Sequence, residues 1–441
     1  MLNFKNPLKS RKSIRIFAGA VFLSVAANYL IFHYLLGGNG RSHPEIAANT
    51  FMHIGVLVPK AGEFAAQGAS LERGVQLAAS VINESGGILG KRIQLHIKDT
   101  HSDAAEARKI VQNFARSKEV SLIVGTVGDK ETLGAIQGLG TEKLPFIYSA
   151  DGPLKTCSPS NKTKPADYVW GAGITDYMSV EPFLIHVMDR LRKSQESFGI
   201  FYFSLDDNRS HAATQFVIDV AENLEIDTIN EEYVDSRLSD YFPLVRVIFS
   251  KRPDLLFVGT HGRFTLDFLA QAVKLGVKSE MKVFSISSFG EENIRPLGNA
   301  SDGMLTVSRY SPAIKNAENN KFLAAWKKAY PKEAPPTTMA AAGGYGLLML
   351  AKRAFDKARS LEAEKFRTSM SDLEVEVPQG RIIVSAKNHL LLQPLYAVTL
   401  TGGSYDILEY LGEVEHPGLQ GCLTVEQSTA PLPQSMSQDN D

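Results

Sequence analysis

The sequence predicts an α/β protein whose body consists of two similar lobes, each a parallel sheet flanked by helices. From Met52 onward, a short apolar run, a polar turn and a segment of helical periodicity follow one another repeatedly. This alternation is typical of parallel sheets with helices on both faces. The 441 residues, 44% of them hydrophobic, are enough for two domains with cores of ordinary size.

The first lobe begins with a strand in HIGVLVP, at residues 53–59, followed by a helix in SLERGVQLAASVINESG. That helix ends at Gly86-Gly87, and its apolar residues lie on one face: Leu71, Val75, Ala78 and Ile82. KRIQLHIKDT alternates as a half-buried strand, and the next helix, DAAEARKIVQNFARS, is capped by Asp103. The strands SLIVGT and LPFIYSA, with a helix near 129–140 between them, complete the series.

A second series follows the segment KTCSPSNKTKPADYVW, at residues 155–170. Its predicted strands are FGIFYFS, a weaker strand near 227–234, PDLLFVGT and MKVFSIS, with helices such as DFLAQAVKLG between them. Next come GMLTVSRY, helical zones at 316–330 and 338–359, and closing strands in GRIIVSAKNHLLLQPLYAVTLTGGSYDILEYLG. The residues after about 413 are polar and predict a loose tail.

The N-terminal segment predicts a membrane anchor. An apolar run at 16–36 is long enough to span a bilayer as a helix of about 20 residues. The basic flank before it predicts a cytoplasmic N-terminus and an exported body: Lys5, Lys9, Arg11, Lys12 and Arg15. A signal peptide cleaved after Ala48 is the alternative, but such peptides usually have an apolar core of about 7–15 residues. We expect a membrane anchor and an exported body, which is released if the segment is cleaved.

Composition excludes several classes of function. Lys plus Arg number 47 against 48 acidic residues, so no basic excess steers the protein to nucleic acid. The only cysteines, Cys157 and Cys422, are too few for a disulfide-rich scaffold or a thiolate metal site. The sequence leaves open whether these two residues form a bridge.

No motif has the spacing of a catalytic or metal site. SGGILGKR lacks the first glycine of a phosphate-binding loop, and Arg92 stands where a hydroxyl residue would bind magnesium. HIKDTHSD groups His96, Asp99, His101 and Asp103, but the odd separation in a strand places His96 and Asp99 on opposite faces. We interpret it as a solvent-facing strand followed by a helix cap. Neither G-x-S-x-G nor HExxH occurs, so the sequence predicts no enzyme and no metal site.

The body resembles the type I periplasmic solute-binding proteins, which include the branched-chain amino-acid binders. Their opening pattern matches GEFAAQGASLERGVQLAASVINESGGILGKRIQLHIKDTHSD. Three later segments are similar to the branch that binds urea and short-chain amides: SSFGEENIRPLG, NNKFLAAWKKAYP and VPQGRIIVSAKNHLLLQPLYAVTL. The resemblance covers nearly all of residues 52–415.

The resemblance implies a two-lobed clamshell with three crossovers that closes on a small solute and delivers it to the permease of an ABC transporter. It implies no cofactor. The segments expected on this basis are a basic segment 1–15, the anchor 16–36, a linker 37–51, lobe I at 52–172 plus about 304–380, lobe II at 173–303 plus about 381–415, and a tail 416–441.

The resemblance also implies ligand contacts in the loops that follow the strands. In lobe I these fall on Phe64, Gln67, Gly128, Asp129, Lys130, Ser149, Ala150 and Asp151. In lobe II they fall on Asp206, Asp207, His261, Arg263, Ser287 and Ser288. The alternative for lobe II is that the His and Arg are only solvated and that the Asp pair caps the following helix.

Two acidic residues distinguish this chain from amino-acid binders of the family. In those proteins, hydroxyls and backbone N–H groups receive the ligand carboxylate where this chain has Asp129 and Asp151. Two carboxylates would repel a third, whereas they would accept charge-assisted hydrogen bonds from an amide, an amine or a guanidinium. The alternatives are that Asp129 is the N-cap of the next helix, with Thr132 sharing the turn, and that Asp151 belongs to a plain Asp-Gly turn.

These observations predict a solute-binding protein for a small polar, nitrogen-containing solute such as an amide, urea or an amino-acid-like compound. The alternative is a membrane-tethered extracytoplasmic sensor that acts on a signalling partner, which the predicted anchor favours. Neither role requires catalysis or a cofactor.

Overall fold

The computed structural model describes residues 50–150, 157–158, 161–165, 167–173, 176–191, 198–260, 262–286, 290, 295–332 and 339–413. The predicted anchor 16–36, the tail 416–441, Cys422 and the side chain of Cys157 lie outside these residues. Within the described part of the chain, no helix combines the length and apolar character needed to cross a membrane.

Lobe I begins with strand–helix units that place consecutive strands side by side. The elements are β1 (Phe51–Val58), α1 (Ala65–Glu84), β2 (Arg92–Asp99), α2 (Ala104–Ser117), β3 (Leu122–Gly125), α3 (Asp129–Leu139) and β4 (Phe146–Tyr148). A short antiparallel pair, β5 (Cys157–Ser158) and β6 (Asn161–Pro165), precedes β7 (Val169–Gly171). The lobe I sheet is entirely parallel, in the order β2-β1-β3-β4-β7.

Lobe II continues the same alternation. Its elements are α4 (Asp176–Leu191), β8 (Gly199–Leu205), α5 (Asn208–Asn223), β9 (Asp227–Val234), α6 (Phe242–Lys251), β10 (Leu255–Gly259), α7 (Gly262–Lys274), α8 (Val277–Glu280), β11 (Lys282–Phe284), a 3-10 segment (Arg295–Ser301) and β12 (Leu305–Ser308). β8 to β12 are parallel to one another.

The chain then returns to lobe I before closing in lobe II. The returning elements are α9 (Ala317–Ala329), α10 (Met339–Ala358), α11 (Ala363–Met370) and a small sheet of β13 (Glu374–Val377), β14 (Gly380–Val384) and β15 (Leu391–Leu392). The final hairpin consists of β16 (Pro394–Thr401) and β17 (Ser404–Glu413). It completes a seven-stranded lobe II sheet in the order β17-β16-β12-β11-β10-β8-β9.

The final hairpin departs from the expectation that each lobe is a parallel sheet. β16 pairs antiparallel with both β12 and β17. Gly402 and Gly403 have φ values of 58° and 77°, and two such residues form the tight turn that joins adjacent antiparallel strands. A two-residue turn cannot connect parallel neighbours, so the sheet of lobe II is mixed.

Two crossovers lie later in the chain than the expected boundaries near 304 and 381. β12 pairs within the lobe II sheet, so the chain returns to lobe I only after Ser308. β14 and β15 contribute Ile382, Val384 and Leu391 to the same apolar core as α1 and α10, so the last crossover precedes β16.

Apolar side chains fill both faces of each sheet. In lobe I, one core lies against α1, α9 and α10, and the other against α2 and α3. In lobe II, one core lies against α4 and α5, and the other against α6 and α7. The near-continuous burial of β1, β3 and β8 follows from this double covering, which explains their unbroken apolar sequences.

Two glycines allow α1 and α10 to approach closely. A Cβ at Gly74 of α1 would overlap the carbonyl group of Ala341 in α10. A Cβ at Gly344 of α10 would lie 2.6 Å from the carbonyl oxygen of Leu71. The helix pair that covers one face of the lobe I sheet therefore depends on these positions lacking side chains.

The three crossovers between the lobes meet at the carbonyl group of Ala172. Ala172 follows β7 on the first crossover, Arg309 follows β12 on the second, and Gln393 precedes β16 on the third. Nη1 of Arg309 and Nε2 of Gln393 both donate to the Ala172 carbonyl oxygen. Both side chains are buried, and Nε of Arg309 also lies 2.7 Å from Sδ of Met339 at the start of α10.

A second set of contacts joins the first and third crossovers. The backbone of Gly171 forms a parallel bridge with Leu390, and its N–H donates to the carbonyl oxygen of His389 at 3.0 Å. The rings of Trp170 and His389 are stacked, with centroids 5.4 Å apart and planes 19° apart. The crossovers are therefore a packed unit rather than three independent linkers.

We expect Gly74→Ala to lower the free energy of unfolding by about 1–3 kcal/mol, because the added methyl group forces α1 and α10 apart. The matched control is Gly343→Ala in α10, where the nearest atom to an added Cβ is Oγ of Ser149 at 3.6 Å. That variant should gain up to about 1 kcal/mol from helix propensity. Urea denaturation of both variants measures the difference, and equal stabilities would contradict the close approach.

Candidate functional site

The lobe I candidates gather at the carboxyl edge of the parallel sheet. Phe64 precedes α1, and its ring lies against Gly128, where an added Cβ would come within 2.6 Å of Cε2. The N–H of Ser149, after β4, donates to the carbonyl oxygen of Gly125 at 3.1 Å. The loops after β1, β3 and β4 are therefore in direct contact, as the parallel order of the strands requires.

A buried carboxylate organises the loop between β3 and α3. Glu131 is 1% exposed. It accepts hydrogen bonds from the backbone N–H groups of Val127, at 2.5 Å, and Gly128, at 2.9 Å, and from the hydroxyl of Thr100. The N-terminus of α3 therefore already holds a negative group supplied by its own first turn.

Two buried threonines complete this loop. Oγ1 of Thr132 lies 2.7 Å from both the Gly128 carbonyl oxygen and Oγ1 of Thr126. Thr126 adopts a φ of 61°, a left-handed conformation that bends the chain away from β3. The predicted involvement of Thr132 in the turn is confirmed.

Asp129 is not the N-cap of α3, so that alternative is wrong. Gly128 occupies the N-cap position and Asp129 is the first helical residue. Among the described residues, the hydrogen bond that its carboxylate accepts comes from the adjacent N–H of Lys130, at 3.0 Å. The capping role that sequence reasoning gave to Asp129 belongs to Glu131, and Asp129 is half-buried.

The remaining lobe I candidates differ in exposure. Gln67 lies in the first turn of α1, and its Oε1 atom is buried with no hydrogen-bond partner among the described residues. Ser149 is half-buried next to Gly343 of α10, Ala150 is 1% exposed, and Lys130 is exposed. This amide oxygen of Gln67, three residues after Phe64, is an acceptor that a ligand N–H group could use.

In lobe II, the two aspartates after β8 have different roles. Asp207 caps α5, since its carboxylate accepts from the N–H and the hydroxyl of Ser210, both at 2.9 Å, so the capping alternative is confirmed for this residue. Asp206 is exposed and lies 2.8 Å from Nε2 of His211. The His211 ring stacks on Tyr233, with centroids 3.8 Å apart.

Four candidates lie outside the described residues, namely Asp151, His261, Ser287 and Ser288. Arg263 lies in the first turn of α7, but its side chain is likewise outside them. Their assignment to the ligand site stays a prediction.

In the HIKDTHSD segment, the predicted helix cap is confirmed. Asp103 caps α2 by accepting from the N–H of Glu106 at 2.8 Å. Asp99 accepts hydrogen bonds from the N–H groups of Lys60 and His101. Partial burial alone would raise the pKa of Asp99, but these two hydrogen bonds outweigh it and lower the pKa. In the described part of the chain, no group of three or more His, Cys, Asp or Glu residues is arranged to hold a metal ion.

A cavity of about 950 Å³ lies elsewhere in lobe II. It is lined by residues at the amino ends of β8, β10 and β11, including Phe198, Asp254 and Met281. Ligands of open parallel sheets bind at the carboxyl ends of the strands. This cavity is at the opposite edge and is therefore not the candidate site.

Sequence reasoning missed three residues that shape the site region. Glu131 stands three residues after the N-cap, which is the position of the acidic residue in a capping box, and this spacing was the available signal. Arg309 and Gln393 had no such signal, because their shared acceptor, Ala172, is 137 and 221 residues away in sequence.

Proteins of known type are similar to this chain in sequence or in fold. A glutamate receptor 2.8 from Arabidopsis thaliana is 22% identical over 342 residues, which is 75% of this chain but only 33% of the receptor. The chain thus spans about a third of that relative's length. An amino acid ABC transporter substrate-binding protein from Pseudomonas fluorescens Pf-5 superposes with a TM-score of 0.73 at 17% identity, covering 84% of this chain and 98% of that one.

A second solved structure is a solute-binding protein of an ABC transporter from Rhodopseudomonas palustris BisB5 in complex with 3,4-dihydroxybenzoic acid. It superposes with a TM-score of 0.69 at 21% identity, covering 84% of this chain and 99% of that one. Likeness at this level of identity establishes the fold. The model of the periplasmic binding protein family matches residues 52–404, which is most of the chain, and the protein therefore belongs to the periplasmic binding protein family.

Proposed function

We propose that this protein is the substrate-binding component of an ABC transporter and that it captures a small, polar, nitrogen-containing solute without a free carboxylate. Family membership supports the binding role. The observation that supports this ligand class is the number of hydrogen-bond acceptors at the carboxyl edge of lobe I, where the Glu131 carboxylate lies at the start of α3.

The helix N-terminus is the usual place for a ligand anion, because its free N–H groups and dipole favour negative charge. Here the N–H groups of Val127 and Gly128 are already bonded to the Glu131 carboxylate. These two N–H groups are therefore not available to a ligand carboxylate, which would also meet the carboxylates of Glu131 and Asp129, and like charges at short range are unfavourable. The ligand that we propose therefore differs in charge from the aromatic acid bound by the Rhodopseudomonas palustris protein.

The same loops suit a hydrogen-bond donor. Oε1 of Gln67 is buried and lacks a partner among the described residues, and an unmet buried acceptor costs about 1–3 kcal/mol. Asp129 adds a half-buried carboxylate. An amide, urea or an amine would satisfy both groups with its N–H donors, which agrees with the sequence resemblance to binders of urea and short-chain amides.

We propose that the other predicted residues complete the site from the remaining loops. In lobe I these are Phe64, Gly128, Lys130, Ser149, Ala150 and Asp151, and in lobe II they are Asp206, His261, Arg263, Ser287 and Ser288, while Asp207 is the cap of α5. The packed crossovers would act as the hinge about which the lobes close.

We further propose that residues 16–36 anchor the protein in the inner membrane, with the body in the periplasm. An anchored body also suits a sensor of a membrane signalling protein. Deletion of the gene distinguishes the two roles. It abolishes uptake of the solute if the protein serves a transporter, and it abolishes only the response to the solute if the protein is a sensor.

A thermal-shift screen of the full-length chain tests the ligand class. We expect urea, short amides or amines to raise the melting temperature, since a ligand at 100 times its Kd stabilises the folded state by about 2.7 kcal/mol. For the best ligand, Asp129→Asn and Gln67→Leu should each weaken binding about 10- to 100-fold, the loss expected for a charge-assisted or buried hydrogen bond.

The matched control for this screen is Asp219→Asn, in the second half of α5, where the carboxylate accepts from Gln215 at 2.8 Å. It should bind like the wild type. The ligand class would be wrong if free amino acids or benzoic acids alone raised the melting temperature. Family membership would be unaffected by that outcome.

We expect Glu131→Ala to lower the free energy of unfolding by about 2–4 kcal/mol, because it leaves two backbone donors and a threonine hydroxyl without their acceptor. Asp129→Asn should change it by less than about 0.5 kcal/mol, since among the described residues that carboxylate accepts from the adjacent N–H of Lys130. Urea denaturation of the two variants separates the structural acid from the proposed ligand-binding one. Similar losses in both would contradict this division of roles.

A further inference from the structure

Two histidines on neighbouring strands of lobe I face each other. Nδ1 of His53 on β1 and Nε2 of His96 on β2 are 2.8 Å apart, and the ring centroids are 5.0 Å apart. Nδ1 of His96, on the other side of its ring, lies 2.9 Å from the carboxylate of Glu119. A carboxylate, an imidazole and a second imidazole thus form one continuous chain of polar contacts.

The strand register fixes this arrangement. β1 and β2 are parallel, and His96 pairs with Gly55, two residues after His53. Residues separated by two in a strand lie on the same face, so both imidazoles project from the face covered by α2. Glu119 lies in the loop between α2 and β3, just beyond the end of the helix. Both histidines are half-buried, which restricts their freedom without closing them from solvent.

The 2.8 Å separation of the two nitrogens is that of a hydrogen bond, so the rings must turn before both nitrogens can bind an ion. Imidazole nitrogens bind zinc, copper and nickel, and among these ions the affinity of a nitrogen and oxygen site is highest for Cu²⁺.

We propose that His53 and His96 form a binding site for a divalent transition-metal ion, with Cu²⁺ preferred over Ni²⁺ and Zn²⁺. The ion takes the place of the proton that the two imidazoles share, and a turn of each ring about its Cβ–Cγ bond directs both lone pairs at it. Water occupies the other coordination positions. The site has two protein ligands, so it differs from the groups of three or more His, Cys, Asp or Glu residues considered above.

Glu119 has a separate role at this site. Its carboxylate bonds to the nitrogen of His96 that faces away from His53. A metal-bound histidine commonly donates its other N–H to a carboxylate, which fixes the tautomer and raises the basicity of the ligating nitrogen. Glu119 therefore positions His96 and does not coordinate the ion.

The site is independent of the proposed solute site. His53 is the third residue of β1, toward its amino end, whereas Phe64, Gly128 and Ser149 follow the carboxyl ends of their strands. Loss of metal binding and loss of solute binding should therefore be separable by mutation.

The test is a titration of the metal-free, full-length chain, without a polyhistidine tag, with CuCl₂ in the presence of glycine as a competing chelator. We expect one tight site per chain, with electron paramagnetic resonance showing superhyperfine coupling to two imidazole nitrogens. His53→Gln and His96→Ala should each weaken Cu²⁺ binding at least about tenfold. Glu119→Gln should weaken it by about 10- to 100-fold, the usual effect of losing an outer partner.

The matched control is His211→Ala, which removes an imidazole that contacts a carboxylate, Asp206, at 2.8 Å, and whose ring stacks on a tyrosine. It should bind Cu²⁺ like the wild type. Melting curves without metal confirm that each variant is folded. The proposal is overturned if the wild-type spectrum lacks coupling to two nitrogens, if folded His53→Gln binds Cu²⁺ unchanged, or if Zn²⁺ binds more tightly than Cu²⁺.

Discussion

The hydrogen bonds that converge on the carbonyl oxygen of Ala172 join the two lobes of this protein at one point. Arg309 and Gln393 donate to it from the second and third crossovers, and both are buried. A hydrogen bond from a charged donor contributes about 1.5–3 kcal/mol, and breaking it in a buried place would leave the guanidinium poorly solvated. The crossovers are therefore expected to move together, which makes them suitable as a hinge.

The position of the candidate site follows from that hinge and from the parallel sheets. Parallel strands bring the loops after β1, β3 and β4 to one edge, and the first crossover leaves lobe I from the same edge after β7. Two acidic residues at this edge, Asp129 and Glu131, are two positions apart in sequence but differ in their contacts. Glu131 is buried and stabilises the loop, whereas the half-buried Asp129 accepts, among the residues that the structure describes, from the adjacent N–H of Lys130. Two carboxylates beside the start of α3, one of them already bonded to the N–H groups of Val127 and Gly128, favour a ligand that donates hydrogen bonds over one that carries an anion.

Local patterns were sufficient to predict most of the fold. The weak strand at 227–234 and the helix near 129–140 occur with nearly the expected bounds, since their periodicity reflects which face is buried. The antiparallel hairpin of β16 and β17 was not anticipated as antiparallel, because apolar alternation does not specify strand direction. The site was harder to predict: Asp129 and Glu131 both suit a helix start in sequence, and the structure distinguishes them, because Glu131 accepts from Val127 and Gly128 and from Thr100 on a distant loop. Contacts such as His53 with His96 join residues 43 apart and leave no local pattern.

The most direct test of the central claim is native mass spectrometry of the full-length chain, purified without denaturation or extensive dialysis, to identify a solute that remains bound. The account predicts a small neutral or cationic solute with N–H donors and no free carboxylate, which Asp129→Asn protein no longer retains. A bound amino acid or aromatic acid, retained equally by Asp129→Asn protein, would contradict the claim that the acceptors at the edge of lobe I select the ligand.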